Sequence, residues 1–218
     1  MERDPIPAGE TTSARLDPED ERRFWQGVEG AARFFMGDSD VQRALEKLVG
    51  TLEAQQIPYA IVGAMALNEF GYRRVTVDVD VLLTPAGLAA LKAASLGRGY
   101  VEKFPGSRGL RDTENRVDID VRLTGGYPGD GKPKPVSFPD PAKVAVRGAR
   151  VALLPLPKLI ELKLASGMSA PHRLKDLADV IELIRAASLP SNLADALDPS
   201  VRDKYLELWT AAQATDPE

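Results

Sequence analysis

Two stretches of this chain, TVDVDVLL at residues 76–83 and RVDIDVRL at residues 116–123, share one pattern: apolar, mostly β-branched residues alternating with aspartate. Successive side chains of a strand point to opposite faces, so the alternation predicts two half-buried β-strands. Aspartate is depleted in strands, and its paired appearance at period two needs a reason. In the first strand the spacing puts Val77, Val79 and Val81 on the core face and Asp78 and Asp80 on the other. In the second, Val117, Ile119 and Val121 face the core and Asp118 and Asp120 point away. If the two strands are neighbours, several carboxylates converge, and like charges placed opposite each other destabilise a sheet. A divalent cation resolves the conflict. Mg²⁺ prefers carboxylate oxygen and leaves positions for water and phosphate, which makes it the natural choice, with Mn²⁺ as the alternative. A lone Asp-x-Asp on an exposed strand face is more often simply solvated; the weight here comes from two such strands following a glycine turn.

That turn lies in YAIVGAMALNEFG, where a short apolar strand at residues 59–62 passes through Gly63 directly into a helix ending near Gly71. A residue without a side chain at a strand-to-helix turn lets a phosphate approach the free amides of a helix start. Thirteen residues separate Ala64 from Asp78, enough for one short helix and the return into the next strand. Phosphate cradle and acids would then face the same cleft.

The rest of the chain frames this unit. Helical spacing predicts a helix in LDPEDERRFWQGVEGAARFF, opened by Asp17 and Pro18, and another over residues 40–55 through Val41, Leu45, Leu48, Val49 and Leu52. Trp25, Phe34 and Phe35 are placed as packing residues rather than base-stacking ones. Thr84-Pro85 opens a further helix, and strands are expected near residues 100–104 and 109–112. Residues 125–141 carry too much Gly and Pro for a regular element and are expected to form a loop over a site. KVAVRGARVALL reads as a hairpin turning at Arg147-Gly148, and the remainder of the chain is helical, with Asp198 and Pro199 opening the last helix. The expected organisation is a tail at residues 1–16, a core at 17–154 that includes the N-terminal helices, and a helical part at 155–218. The fold class is α+β: a small mixed β-sheet flanked by helices, with a helical C-terminal part.

Composition narrows the chemistry. There is no cysteine among the 218 residues, hence no thiol nucleophile and no Cys-based zinc site. The formal net charge is −4, but residues 1–40 hold 10 acidic and 5 basic residues, whereas residues 98–150 hold 11 basic and 7 acidic ones. That local excess suits phosphate-rich ligands. No apolar run approaches the ~20 residues of a membrane span, and the first residues lack the apolar stretch of a secretory signal; a cytoplasmic protein is expected, without membrane partners. The single histidine, His172, follows a proline in a loop and is read as a surface residue.

Gly63-Ala64, Asp78 with Asp80, and Asp118 together resemble the nucleotidyltransferase superfamily with the polymerase-β type of fold, over roughly residues 57–125. The helical residues Lys163, Lys175, Asp176 and Asp179 are similar to the signature of its AbiEii-like toxin branch. Ala64 departs from the pattern, which often has Ser there. The resemblance implies transfer of a nucleoside monophosphate from an NTP to a hydroxyl, with Asp78, Asp80 and Asp118 holding Mg²⁺, Asp176 joining the catalytic set, and Gly63, Ala64, Lys163 and Lys175 meeting the triphosphate. Asp120 is a possible substitute for Asp118. The toxin branch further implies an RNA or tRNA acceptor and an antitoxin partner. Two other classes compete: a catalytically silent nucleotide- or partner-binding module of the same fold, and an Asp-x-Asp glycosyltransferase, which the glycine turn and the second acidic strand fit poorly.

Overall fold

The computed structural model describes residues 39–148 and 150–214, together with single positions of a helical stretch between residues 19 and 34. The expected tail at 1–16, the helix start at Asp17-Pro18, Trp25 and Phe35 lie outside the described residues. Phe34 is described and is 5% exposed, a packing residue as expected.

Helix α1, Asp40–Ala54, begins in a capping box. The Ser39 hydroxyl accepts from the Gln42 amide, while the Gln42 side chain accepts from the Ser39 amide, so two otherwise orphaned donors are satisfied. Its apolar stripe, Val41, Ala44, Leu45, Leu48, Val49 and Leu52, is buried against the sheet and the helix at Pro85–Ser95. The chain then runs through β1, Tyr59–Ile61, α2, Gly63–Glu69, and β2, Asp78–Leu83. Helix α3, Pro85–Ser95, is opened by the Thr84 hydroxyl, which accepts from the Gly87 amide, with Pro85 in its first turn. Strands β3, Tyr100–Glu102, β4, Leu110–Asp112, and β5, Val117–Leu123, come next.

These strands join β6, Val146–Arg147, and β7, Ala152–Leu153, in one mixed seven-stranded sheet of order β3-β4-β5-β2-β1-β7-β6. β2 and β5 are adjacent and parallel, and their register sets Asp78 opposite Asp118 and Asp80 opposite Asp120. The alternation works as expected: Val79, Val81 and Ile119 are fully buried, each side chain contributing about 1.5–3 kcal/mol relative to exposure. That apolar anchoring fixes the register, because a one-residue slip would carry every carboxylate into the core.

Val77 is the exception. Alternation predicts it on the core face, but it is 80% exposed, and β2 begins only at Asp78. The reason lies just before it: the Asn68 side chain accepts from the Arg74 amide at 2.7 Å and donates to the Arg74 carbonyl at 2.8 Å. The approach to β2 is tethered to α2 there, and alternation in sequence runs longer than alternation in space. The hairpin expected over KVAVRGARVALL is also shorter. Its opening residues form a helical turn, α4, Pro141–Val144, capped by Asp140, and only β6 and β7 pair, closed by Gly148 donating to the Val151 carbonyl.

The C-terminal part is helical: α5, Leu156–Ser169, a 3₁₀ turn at Pro171–Arg173, α6, Leu174–Ala186, a 3₁₀ segment at Ser191–Ala196, and α7, Pro199–Gln213. Asp198 caps α7, as expected, by accepting from the Ser200 amide. Buried residues from α1, the sheet and all three of these helices form one continuous cluster. The observed class is therefore α+β, a mixed sheet with flanking helices. Among the described residues, no helix is long and apolar enough to cross a membrane.

Candidate functional site

A cleft of about 590 Å³ opens between the acidic face of the sheet and helices α5 and α6, within the range of ligand pockets. The sheet contributes Asp78, Asp80, Asp120 and Arg122; the helical wall contributes Lys163, Ser166, Arg173, Lys175, Asp176 and Asp179. Gly63 and Ala64 sit at one end, and Tyr127 to Gly131 form the rim. Most residues singled out in the sequence therefore share one cavity. Asp118 stands apart from its lining.

On the sheet, Asp78 accepts the Thr76 hydroxyl at 2.5 Å and is not ion-paired within the described residues. Asp80 is deeper, its side chain 19% exposed. Burial pushes its carboxyl above the usual range, Arg122 pulls it back, and the charges of Asp78 and Asp120 push it up again. Arg122 donates to Asp80 Oδ1 from Nη2 at 2.9 Å and from Nε at 3.3 Å, and the same Nη2 lies 3.6 Å from Asp120. Asp118 has the opposite balance. Hydrogen bonds from Lys103, at 2.9 Å, and Arg111, at 2.7 Å, outweigh its modest burial and hold its carboxyl below the usual range. Lys103 also reaches Asp120 at 3.1 Å.

Gly63 has φ +66°, and a Cβ built on it would lie 2.1 Å from Asp80 Oδ2. The glycine is thus required twice, by a backbone angle that L side chains rarely adopt and by close packing of a carboxylate against it. What approaches the glycine in the folded chain is Asp80 itself.

The helical wall is a nearly closed ion network. Lys163 donates to Asp179 at 2.7 Å and Asp176 at 3.2 Å. Both oxygens of Asp179 also accept from Arg74, at 2.7 and 3.0 Å, which ties α6 to the tethered approach of β2. Asp176 accepts from Ser166 at 2.6 Å and pairs with Arg173 at 2.7 Å. Burial pushes the Asp176 carboxyl up, but Lys163, Ser166 and Arg173 together hold it below the usual range. Lys163 is only 8% exposed. Lys175, by contrast, is exposed at the cleft, as is Arg108 from the β3–β4 turn, and neither is ion-paired within the described residues. His172 is exposed on the same rim.

The loop at residues 125–140 lines the cleft, as expected, and it is anchored. Gly125 donates to the Phe138 carbonyl and Phe138 to the Gly126 carbonyl, both at 2.8 Å. Gly129 packs on α5 so closely that a Cβ there would lie 1.9 Å from Ser169 Oγ.

Three features escaped the sequence patterns. Arg122 could have been found, because it continues the period-two row Asp118, Asp120, Arg122. Lys103 and Arg74 gave no such signal; each comes from a separate segment that only the folded chain brings near.

No three carboxylate or imidazole groups among the described residues converge tightly enough to enclose a metal ion by themselves. Asp78 and Asp80, two residues apart on one strand and both facing the cleft, nevertheless suit an ion that arrives with phosphate oxygens, since Mg²⁺ is commonly held by one or two carboxylates plus substrate phosphate and water. The under-compensated burial of Asp80 is the local observation in favour of that fit.

No family model matches the chain, and no curated protein matches it. Solved structures do. The solution structure of the antibiotic-resistance factor ANT(2'')-Ia is 14% identical with a TM-score of 0.50, covering 77% of this chain and 94% of that one. A crystal structure of ANT(2'')-Ia in complex with adenylyl-2''-tobramycin is 12% identical with a TM-score of 0.47, covering 79% and 98%. A protein from H. pylori assigned as a nucleotidyltransferase is 15% identical with a TM-score of 0.44, covering 79% and 91%. At such identities the likeness is one of fold: the mixed sheet and flanking helices of this chain are arranged as in ANT(2'')-Ia, in keeping with the α+β class that the sequence resemblance implies.

Proposed function

We propose that the chain is a divalent-cation-dependent nucleotidyltransferase, moving a nucleoside monophosphate from an NTP to a hydroxyl acceptor. The observation that carries this is the convergence of Asp78, Asp80 and Asp120, from two adjacent parallel strands, on one cleft whose other side bears cations. Asp78 and Asp80 would hold Mg²⁺ or Mn²⁺, which supplies neutralisation of the phosphate charge and orientation of the leaving group.

The chain's own residues divide the remaining work. Asp120 is the better-placed third acid, because it lines the cleft, whereas both oxygens of Asp118 are taken up by Lys103 and Arg111. At the cleft Asp120 would accept the proton of the attacking hydroxyl. Arg108 and Lys175, exposed and unpaired within the described residues, would meet triphosphate oxygens, with the backbone at Gly63 and Ala64 closing the end of the cleft. Lys163 is committed to Asp176 and Asp179, so its contribution is to hold the helical wall in register with β2. Asp176 belongs to that same support. An RNA or tRNA acceptor, an antitoxin partner and a toxin role rest solely on the AbiEii-like resemblance of Lys163, Lys175, Asp176 and Asp179.

Incubation with each α-labelled NTP, Mg²⁺ or Mn²⁺, and total RNA, protein or small hydroxyl compounds tests the activity. Label transfer that is lost in Asp80→Asn is the expected result; no transfer by the wild type under any of these conditions contradicts it. A second reading, a silent nucleotide-binding module, has one observation in its favour: Arg122 and Lys103 already neutralise much of the acidic face. Nucleotide binding that is indifferent to divalent cation and unaccompanied by transfer would establish it.

A further inference from the structure

The cation nearest the proposed metal ligands is one the chain supplies itself. β5 places Asp118, Asp120 and Arg122 on one face at period two, and the parallel register brings Arg122 diagonally across to Asp80. Its guanidinium donates twice to Asp80 Oδ1, at 2.9 and 3.3 Å, and its Nη2 lies 3.6 Å from Asp120 Oδ2. It therefore sits between two carboxylates of the cleft, Asp80 and Asp120. The other oxygen, Asp80 Oδ2, is packed against the positive-φ turn at Gly63, where a single Cβ would fall 2.1 Å from it. Oδ2 has no hydrogen-bond partner among the described residues but is crowded by the glycine turn, and Oδ1 becomes available to an incoming cation only if Arg122 lets go or shares it.

We propose that Arg122 is an internal counter-ion that competes with divalent metal for Asp80 and, once it yields Oδ1, serves as a phosphate ligand in the same cleft. The inference rests on the metal-and-nucleotide cleft proposed above. The Arg122 side chain is 42% exposed and lines the cavity, so it has room to turn from one carboxylate to a phosphate oxygen without repacking the core. Guanidinium geometry suits both partners, since it pairs bidentately with carboxylate or with phosphate. The consequence is ordered loading. Metal alone at Oδ1 must displace a charge-assisted, two-pronged contact and leave the guanidinium with only the longer contact to Asp120, at 3.6 Å. Metal arriving with a polyphosphate gives Arg122 a new anion as it releases the old one. Free metal should bind weakly, and metal with polyphosphate strongly.

The test uses the whole chain and probes that carry no base or acceptor: Mn²⁺ alone, followed by water-proton relaxation, and inorganic tripolyphosphate in the presence of EDTA, followed by calorimetry. Arg122→Gln should bind Mn²⁺ alone at least about tenfold more tightly than wild type, and tripolyphosphate about tenfold more weakly. Arg122→Lys, which keeps the charge and loses the fork, should fall between. The gain in Mn²⁺ affinity should vanish in Arg122→Gln/Asp80→Asn, which places the competition at Asp80, and thermal melting confirms that each variant is folded. Mn²⁺ binding no tighter in Arg122→Gln than in wild type, or a gain that survives Asp80→Asn, overturns the role of Arg122 while leaving the cleft intact. If no folded form binds Mn²⁺ even with tripolyphosphate present, the metal cleft itself is overturned, and the role of Arg122 with it.

Discussion

The cleft has two carboxylate-bearing walls, and they are balanced differently. On the helical wall the Asp176 and Asp179 side chains are largely buried, yet each has more than one cationic partner: Lys163 and Arg173 for one, Lys163 and Arg74 for the other. On the sheet wall, among the described residues, Asp78 has only a hydroxyl, and Asp80 has a single arginine that does not offset its burial. Buried charge that is matched holds a structure together, whereas buried charge left short of counter-charge is poised to receive one. On the proposed function, the same residue type serves support on one side and ligand binding on the other.

The largest effect should come from breaking the matched wall. Lys163→Met removes the cation that Asp176 and Asp179 share, leaving Arg173 to one and Arg74 to the other, and loss of one partner from a buried ionic network costs about 3–5 kcal/mol. Urea denaturation should show a stability loss on that scale, and a loss under about 1 kcal/mol would mean the two walls are not different in kind. Substitution on the sheet wall should do the reverse. Asp80→Asn should leave stability unchanged or slightly raised, while transfer activity falls by at least about 100-fold, the scale of losing one electrostatic contact at a reacting centre. Parallel measurement of melting temperature and label transfer separates the two walls directly.

Smaller changes sharpen the contrast. Gly63→Ala should cost about 1–2 kcal/mol from its backbone angle alone, and more through displacement of the Asp80 carboxylate. Stability loss with intact activity would separate the glycine from the acid. Within β5, Asp120→Asn should abolish most activity and Asp118→Asn should reduce it less than about tenfold, since Asp118 is spent on Lys103 and Arg111. The smallest effect is in pH dependence. The Asp176 carboxyl is held below its ordinary value, so the folded state binds fewer protons there than the unfolded chain. Its contribution to stability is present above the unfolded pKa and is lost as pH falls through the lower folded value. Asp176→Asn should flatten that acid limb of the stability curve.

How much of this could be read from the residues depends on the range of the forces involved. The facing of β2 and β5 was legible because burial of Val79, Val81, Ile119 and Val121 enforces a period of two that the sequence displays openly, whereas their adjacency was only a condition that the folded sheet meets. The same logic failed at Val77, where a hydrogen-bonded tether at Asn68 overrides local alternation. The glycine turn was legible as a turn, but its tight partner was not, since Asp80 approaches it only across the sheet. Nor could strand parity separate Asp118 from Asp120, which share a face; they differ in that Arg111, brought in by β4, pairs with Asp118, while Asp120 lines the cleft. Arg74 and Asp179 lie 105 residues apart, and no short-range pattern joins them.

The central claim is that the sheet wall receives a cation together with nucleotide. The most direct measurement is calorimetric titration of NTP into wild type, Asp80→Asn and Asp118→Asn, each with and without Mn²⁺. Binding by wild type and Asp118→Asn should be strengthened by Mn²⁺, and Asp80→Asn should lose this dependence while remaining folded. Binding that is equally metal-dependent in Asp80→Asn, or metal-independent in the wild type, would contradict it.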